Sequence, residues 1–212
     1  SLSDLKDKVI VVFGASRGIG KSITDIAETY GAKVYGFSRK NSVDVSSFTK
    51  VSDSLEEVYG KEHIIHYIVN TAGIMRMGKL ELRETDHIME EIYTNYIGAI
   101  NIVRAGIKYL RESRGSFALF TSSSYTRGRA LYSVYSSVKA AIVNLSQAMA
   151  EELLIDHVKI NVINPERTAT PMRLENFGKE PEDTLLKPEK VAIVSLQTLL
   201  SDLTGQVIDV RK

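Results

Sequence analysis

Six short runs of β-branched and other apolar residues, separated by longer stretches of helical character, constrain the fold of this chain more than any other feature. The runs are "KVIVVFG" (8–14), "AKVYGFS" (32–38), "IIHYIVN" (64–70), "SFALFTS" (116–122), "VKINVIN" (158–164) and "QVIDV" (206–210). Near-continuous apolar character is what a strand covered on both faces requires. Helices are expected near 19–30, 46–59, 84–112, 133–156 and 188–201, the last entered at Pro188, where a first turn has no use for an N–H. This alternation predicts an α/β fold, a doubly wound parallel sheet with right-handed crossovers. The 212 residues read as one domain, 1–212, able to bury about 70% of the surface its unfolded chain exposes. One connection is irregular: "FSRKNSVDVSS" reaches Asp44 and Val45 within a few residues of the second run. If "SVDV" is a further strand, its crossover has been pared to a loop.

Composition removes several function classes. Lys and Arg number 27 against 26 Asp and Glu, so the basic excess of a nucleic-acid partner is absent. With no cysteine, thiol catalysis, disulfides and cysteine-held metal are excluded, in keeping with a reducing compartment. No apolar stretch approaches the ~18 residues of a membrane span, and "SLSDLKDK" has no apolar signal core. The expectation is a cytoplasmic protein with no membrane or nucleic-acid partner. His63, His66, His87 and His157 show no ligand spacing with carboxylates, and no metal is expected.

"FGASRGIGKS" (13–22) follows the first run and opens the first helix. Its GKS ending invites a triphosphate-binding P-loop, but that pattern needs glycine where Ala15 stands. Gly14, Gly18 and Gly20 instead read G-x3-G-x-G. Gly14 permits the tight turn, and Gly18 and Gly20 allow close approach of a pyrophosphate to the N–H groups of the helix end. "VNTAG" (69–73) places small residues at the carboxyl edge of the sheet, and Asn95 sits inside a helix, where asparagine is locally unfavourable. Tyr135 and Lys139, four apart, share one helix face, and an ammonium beside a phenol lowers the phenol's pKa.

Together these residues resemble the classical short-chain dehydrogenase/reductase family, in the family's motif order from about residue 5 to 210. The resemblance implies a Rossmann-like sheet and a dinucleotide held by Gly14, Ser16, Arg17, Gly18, Ile19 and Gly20. It further assigns Asp44 and Val45 to the adenine, and Asn70, Ala72 and Gly73 to the asparagine-rich loop, with Thr71 in place of that loop's second asparagine. Asn95, Ser122, Tyr135 and Lys139 match the catalytic tetrad; Ser123 and Ser124 adjoin Ser122. The implied roles are proton donation by Tyr135, hydrogen bonding to the substrate oxygen by Ser122, ribose binding and phenol activation by Lys139, and a relay water on Asn95. Tyr135 and Lys139 thus also count as cofactor contacts. Pro165, Thr168 and Thr170 match the segment that meets the nicotinamide, although Glu166 replaces the family's usual glycine.

The second run ends in Ser38 and Arg39, where members that prefer NAD carry an acid. A serine with a flanking arginine, and Arg17 in the glycine loop, accept a 2′-phosphate and predict NADP(H), hence reduction as the working direction. Arg76, Arg127, Arg129, Arg167 and Arg173 fall in loops at the carboxyl ends of later strands and suggest an anionic substrate. "SSSYTRGRALYSVYSSVKAA", "NPERTATPMR" and "TGQVIDVR" resemble the reductase portion of bifunctional ribitol-phosphate cytidylyltransferase/ribulose-5-phosphate reductases. That implies a phosphorylated sugar as substrate, ribulose 5-phosphate going to ribitol 5-phosphate, and a cytidylyltransferase as fusion partner. The region after Met172 is short for a substrate lid, and "DVRK" lacks the family's usual Gly-Gly, which bears on its homo-oligomeric packing. A non-catalytic dinucleotide-binding regulator or scaffold is the alternative reading.

Overall fold

The computed structural model describes residues 1–212. The strands are β1 (Val9–Phe13), β2 (Lys33–Phe37), β3 (Tyr67–Asn70), β4 (Ser116–Phe120), β5 (Lys159–Pro165) and β6 (Val207–Val210). The main helices are α1 (Gly18–Thr29), α2 (Phe48–Glu62), α3 (Thr85–Ile92), α4 (Gly98–Ser113), α5 (Ser133–Glu152), α6 (Pro171–Phe177) and α7 (Pro188–Leu200). All six runs form strands of one parallel sheet in the order β2-β1-β3-β4-β5-β6. The fold is therefore the expected Rossmann-like doubly wound sheet.

Alternation along β1 shows how the layers form. Val9, Val11 and Phe13 face a core shared with α2, α4 and α5, whereas Ile10 and Val12 face one shared with α1 and α7. Every residue of β1 and β4 is buried, which explains why their sequences are apolar throughout rather than alternating.

Two expectations change. "SVDV" is not a strand: Ser42 turns the chain with φ 67° and the sheet ends at β2. Val43 and Val45 are buried all the same, in the core beneath α2 and α4. A Cβ on Gly98 would lie 2.6 Å from Val45 Cγ2, so α4 needs glycine where this loop packs. The helix expected over 84–112 is broken in register by a π turn at Tyr93–Ile97. That turn admits an extra residue. Of the apolar positions Ile88, Ile92, Tyr96, Ile100 and Val103 spaced along that expected helix, Val103 is buried and the other four are half-buried, while Thr94, Asn95, Gly98, Ala99 and Ile102 also turn inward.

The chain reverses direction across the sheet between β1 and β3, so the carboxyl ends of these neighbours open a crevice. No helix is long and apolar enough to cross a membrane. His63 closes α2 in a left-handed conformation, and His66 Nδ1 accepts the Val9 N–H at 3.0 Å, so both serve the scaffold.

Candidate active site

The glycine loop lies against the end of β3. A Cβ on Gly14 would come within 2.5 Å of the Ala72 N, and one on Gly20 would strike the Gly14 carbonyl oxygen and Thr71 Oγ1. Gly14 also has φ 81°. These two glycines are thus required by packing between the loops, while Gly18 has room for a Cβ but holds φ 60°. Thr71 ties the loops together through its hydroxyl, 2.9 Å from the Phe13 carbonyl and 3.0 Å from that of Gly14. Asn70, almost fully buried, braces the same turn, its Oδ1 accepting the Ala72 N–H at 3.0 Å.

A cleft of about 420 Å³ runs from this loop across the sheet edge. Gly14, Ser16, Arg17, Gly18, Ile19 and Gly20 line its first section. No side chain caps the first turn of α1, whose N–H groups remain available to a ligand. Ser38, Arg39, Val43, Val45 and Thr94 form one wall, and Ala72, Gly73, Pro165, Thr168 and Thr170 flank the middle. Glycines that admit close backbone approach, free helical N–H groups and a half-apolar wall fit a dinucleotide. Asp44 does not line the cleft; its carboxylate accepts from Ser46 N and Ser46 Oγ. Those bonds and Arg39 hold its pKa down, although burial opposes them as the largest single influence.

Ser122, Tyr135 and Lys139 all line the same cleft. Tyr135 and Lys139 project from one face of α5, with the ammonium 5.5 Å from the phenol ring centre. Lys139 Nζ donates to the Phe120 carbonyl oxygen at 3.1 Å, and burial lowers its pKa to about 8. Burial, and secondarily the Glu91 carboxylate, push the Tyr135 hydroxyl up to about 12. Desolvation therefore outweighs the expected activation by lysine, and the phenol is protonated at neutral pH. Ser122 faces the cleft and Ser124 is buried behind it, their hydroxyls 2.8 Å apart. That burial distinguishes Ser122 from Ser124; Ser123 also reaches the cleft.

Asn95 stands apart from the cleft lining, at the π turn. Both ends of its amide bind the backbone of Ile74.

The arginines anticipated around the carbonyl site divide. Arg167 and Arg173 line the cleft; Arg127 and Arg129 do not, and Arg76 is drawn to Glu90 at 2.7 Å. Arg39 is shared between Thr94 Oγ1 at 2.9 Å and Glu90 at 3.5 Å, and Arg17 forms a paired bond with Glu175 on α6.

The sequence reading missed Tyr132 and Phe177, which stack edge-on at 6.1 Å beside Tyr135. Tyr132 lies three residues before Tyr135, a signal that could have found it; Phe177 carries none. It also missed Glu91, fully buried, which accepts the Arg76 N–H at 2.8 Å and binds Arg83 at 3.0 Å.

Residues 41–181 match the short chain dehydrogenase family. The chain is 51% identical over 209 residues to the bifunctional ribulose 5-phosphate reductase/CDP-ribitol pyrophosphorylase Bcs1 of Haemophilus influenzae, covering 99% of this chain and 44% of that protein. It is 28% identical to a 3-ketodihydrosphingosine reductase of Bacteroides thetaiotaomicron, over 76% of this chain and 64% of that one. The chain thus spans roughly half to two thirds of these relatives' lengths. Among solved structures, the 3-ketoacyl-(acyl-carrier-protein) reductase of Brucella melitensis complexed with NADH superposes with a TM-score of 0.89 at 21% identity, over 97% of both chains. Ligand-free aldohexose dehydrogenase of Thermoplasma acidophilum gives 0.88 at 25% identity, over 99% of this chain and 94% of that one.

Proposed function

The chain belongs to the short-chain dehydrogenase family of oxidoreductases, and from that premise we propose that it is an NADPH-dependent reductase of a phosphorylated ketose, ribulose 5-phosphate to ribitol 5-phosphate. The observation that carries the reading is that Ser122, Tyr135 and Lys139 line the same cleft as the glycine loop. The substrate class is supported by the 51% identity that extends over 99% of the chain to a protein named for that reduction.

When bound, the nicotinamide supplies the hydride. The chain's own residues handle the oxygen. Ser122 donates a hydrogen bond to the carbonyl oxygen, where charge develops, and Tyr135 passes its proton to that same oxygen. A phenol held near 12 keeps its proton at neutral pH, the form a reductase needs and the wrong one for oxidation. Lys139 holds the ribose hydroxyls and, at about 8, can pass a proton to the tyrosine. Asn95 fixes the Ile74 backbone, and with it the loop that floors the reaction. Gly14, Gly18, Gly20 and the backbone of Ser16 to Ile19 hold the pyrophosphate; Asn70, Ala72 and Gly73 shape the adjoining turn. Val45 supports the adenine, with Asp44 fixing the loop beside it, and Pro165, Thr168 and Thr170 meet the nicotinamide side.

Ser38, Arg39, Lys40 and Arg17 border the cleft without a carboxylate at the end of β2, which supports a 2′-phosphate. Loss of ribulose 5-phosphate-dependent NADPH oxidation in Tyr135→Phe, with NADPH binding retained, is the expected result. Failure of the unaltered chain to oxidise NADPH with any phosphoketose or simple ketone overturns the reading in favour of a non-catalytic dinucleotide binder. Arg39→Asp should weaken NADPH and spare NADH; equal loss of both counts against the cofactor assignment.

A further inference from the structure

Arg173 is held in the cleft more firmly than a surface arginine needs to be. It occupies the third position of α6, and its guanidinium lies over the Phe177 ring, one turn on, with Cζ 3.9 Å from the ring centre. Phe177 rests edge-on against Tyr132, and Tyr132 against Tyr135, at 6.1 and 6.5 Å. Three aromatic rings in sequence therefore connect the guanidinium to the phenol. Its charge reaches the Tyr135 hydroxyl, where it opposes the upward push of burial.

Glu180 holds the other edge. Arg173 Nε donates to Oε1 at 2.8 Å and Nη2 to Oε2 at 3.2 Å. A guanidinium carries five N–H donors, so this paired bond leaves the Nη1 group and the second Nη2 hydrogen free. The side chain is only 23% exposed, and it lines the cleft while Glu180 does not. Arg167, also on the cleft, approaches the same carboxylate at 4.0 Å. Two arginines share one acid there, leaving positive charge at the substrate end even though Glu166 also borders the cleft.

We propose that Arg173, aligned by Glu180 and Phe177, is the specificity-determining receptor for the substrate's phosphate, with Arg167 as an auxiliary cation. This rests on the reductase reading above. A planar fork fixed on two sides loses little side-chain freedom on binding a phosphate, and a charge-assisted pair also sets the phosphate's direction. Because the aromatic stack links Arg173 to Tyr135, a phosphate seated on it would direct the ketose carbonyl toward Ser122 and Tyr135. Selection for a phosphorylated over an unphosphorylated ketose then follows from one anchored side chain.

The test compares ribulose 5-phosphate with unphosphorylated ribulose in NADPH oxidation by the unaltered chain, Arg173→Gln and Arg173→Lys. Arg173→Gln should lower the ratio of kcat/KM for the phosphorylated over the unphosphorylated ketose about ten- to hundredfold, the range expected when a hydrogen-bonded charge is lost. The loss should appear in KM for the phosphorylated ketose, with Arg173→Lys intermediate because it keeps the charge and loses the fork. An equal fall with both ketoses, or a rise confined to KM for NADPH, overturns the proposal. If no variant and no unaltered chain turns over either ketose, the reductase reading fails by itself. Calorimetric titration of ribulose 5-phosphate into the NADP⁺-saturated chain then decides the arginine: binding weakened in Arg173→Gln supports it, and equal or absent binding in both chains refutes it.

Discussion

Asn95 grips the backbone of Ile74 from both sides: its Oδ1 accepts the Ile74 N–H at 2.8 Å and its Nδ2 donates to the Ile74 carbonyl at 2.7 Å. An amide is the one side chain that completes this pair, since it carries a donor and an acceptor side by side. The π turn at Tyr93–Ile97 brings it inward, so a residue that weakens a helix locally is placed where the helix itself is irregular.

Replacing Asn95 by Ala leaves both Ile74 groups unpaired and part-buried. Each such group costs about 1–3 kcal/mol, so Asn95→Ala should lower Tm by several degrees, at about 2–4 °C per kcal/mol for a chain this long. Asn95→Asp keeps the acceptor but sets a nearly buried carboxylate against the Ile74 carbonyl oxygen, and should be no more stable than Asn95→Ala at neutral pH. Thermal unfolding ranks the three chains; equal Tm for Ala and the unaltered chain would show that the grip contributes nothing.

The glycines separate by cause. At Gly20 a Cβ would strike the Gly14 carbonyl oxygen and Thr71 Oγ1, whereas at Gly18 the nearest atom is Thr170 Cβ at 3.6 Å. Gly20→Ala must force the loop away from β3, with large losses of stability and dinucleotide affinity. Gly18→Ala pays only for its left-handed backbone, about 1–2 kcal/mol. Fluorescence titration with NADPH and thermal unfolding should therefore rank Gly20→Ala well below Gly18→Ala, and the reverse order would contradict this packing.

The strands and the glycine loop were legible because the signals that make them are local: apolar runs, glycine spacing, a helix following. "SVDV" carries the same β-branched signal, yet Val43 and Val45 are buried beneath α2 and α4 without pairing. Burial explains the composition there as well as a strand would. Along the long helix the π turn shifts the phase of the apolar positions, so Val103 is buried while Ile88 and Ile100 are only half-buried, and the contact that Asn95 makes from that turn reaches Ile74, 21 residues away. Of the arginines counted by loop, Arg167 and Arg173 reach the cleft, whereas Glu90 takes Arg76 by a contact across 14 residues. Glu91 gave no sign in the sequence, because a carboxylate is buried only where a partner such as Arg83 meets it.

Glu91 lies inside that pair with no exposure, and its charge is the second cause of the raised phenol. Removing one partner of a buried pair leaves the other uncompensated, so Glu91→Gln should destabilise the chain by roughly 3 kcal/mol. Without the carboxylate the phenolate is less disfavoured, and the Tyr135 pKa falls from about 12. With Tyr135 as the proposed proton donor, the protonated form is lost as pH rises through that pKa, so the alkaline fall in kcat/KM for the proposed ketose reduction should move to lower pH. A structural role alone would lower Tm and leave the pH profile in place.

Lys139 makes the stability itself pH-dependent. Burial lowers its ammonium to about 8 from the ordinary value of 10.5. Below pH 8 folded and unfolded chains both hold the proton, and the cost of burying the charge is felt in full. Between pH 8 and 10.5 the folded chain has released it and the unfolded chain has not, so stability rises with pH. Tyr135 acts oppositely, but only above pH 10, where the unfolded phenol ionises while the folded one keeps its proton to about 12. Comparing Lys139→Met with the unaltered chain isolates the lysine from every other titrating group. The difference in urea unfolding free energy should favour Lys139→Met at pH 7 by at most about 3 kcal/mol and shrink as pH rises toward 10, while the proposed ketose reduction should be lost throughout. A difference that does not change between pH 7 and 10 would mean that the buried ammonium carries no such cost.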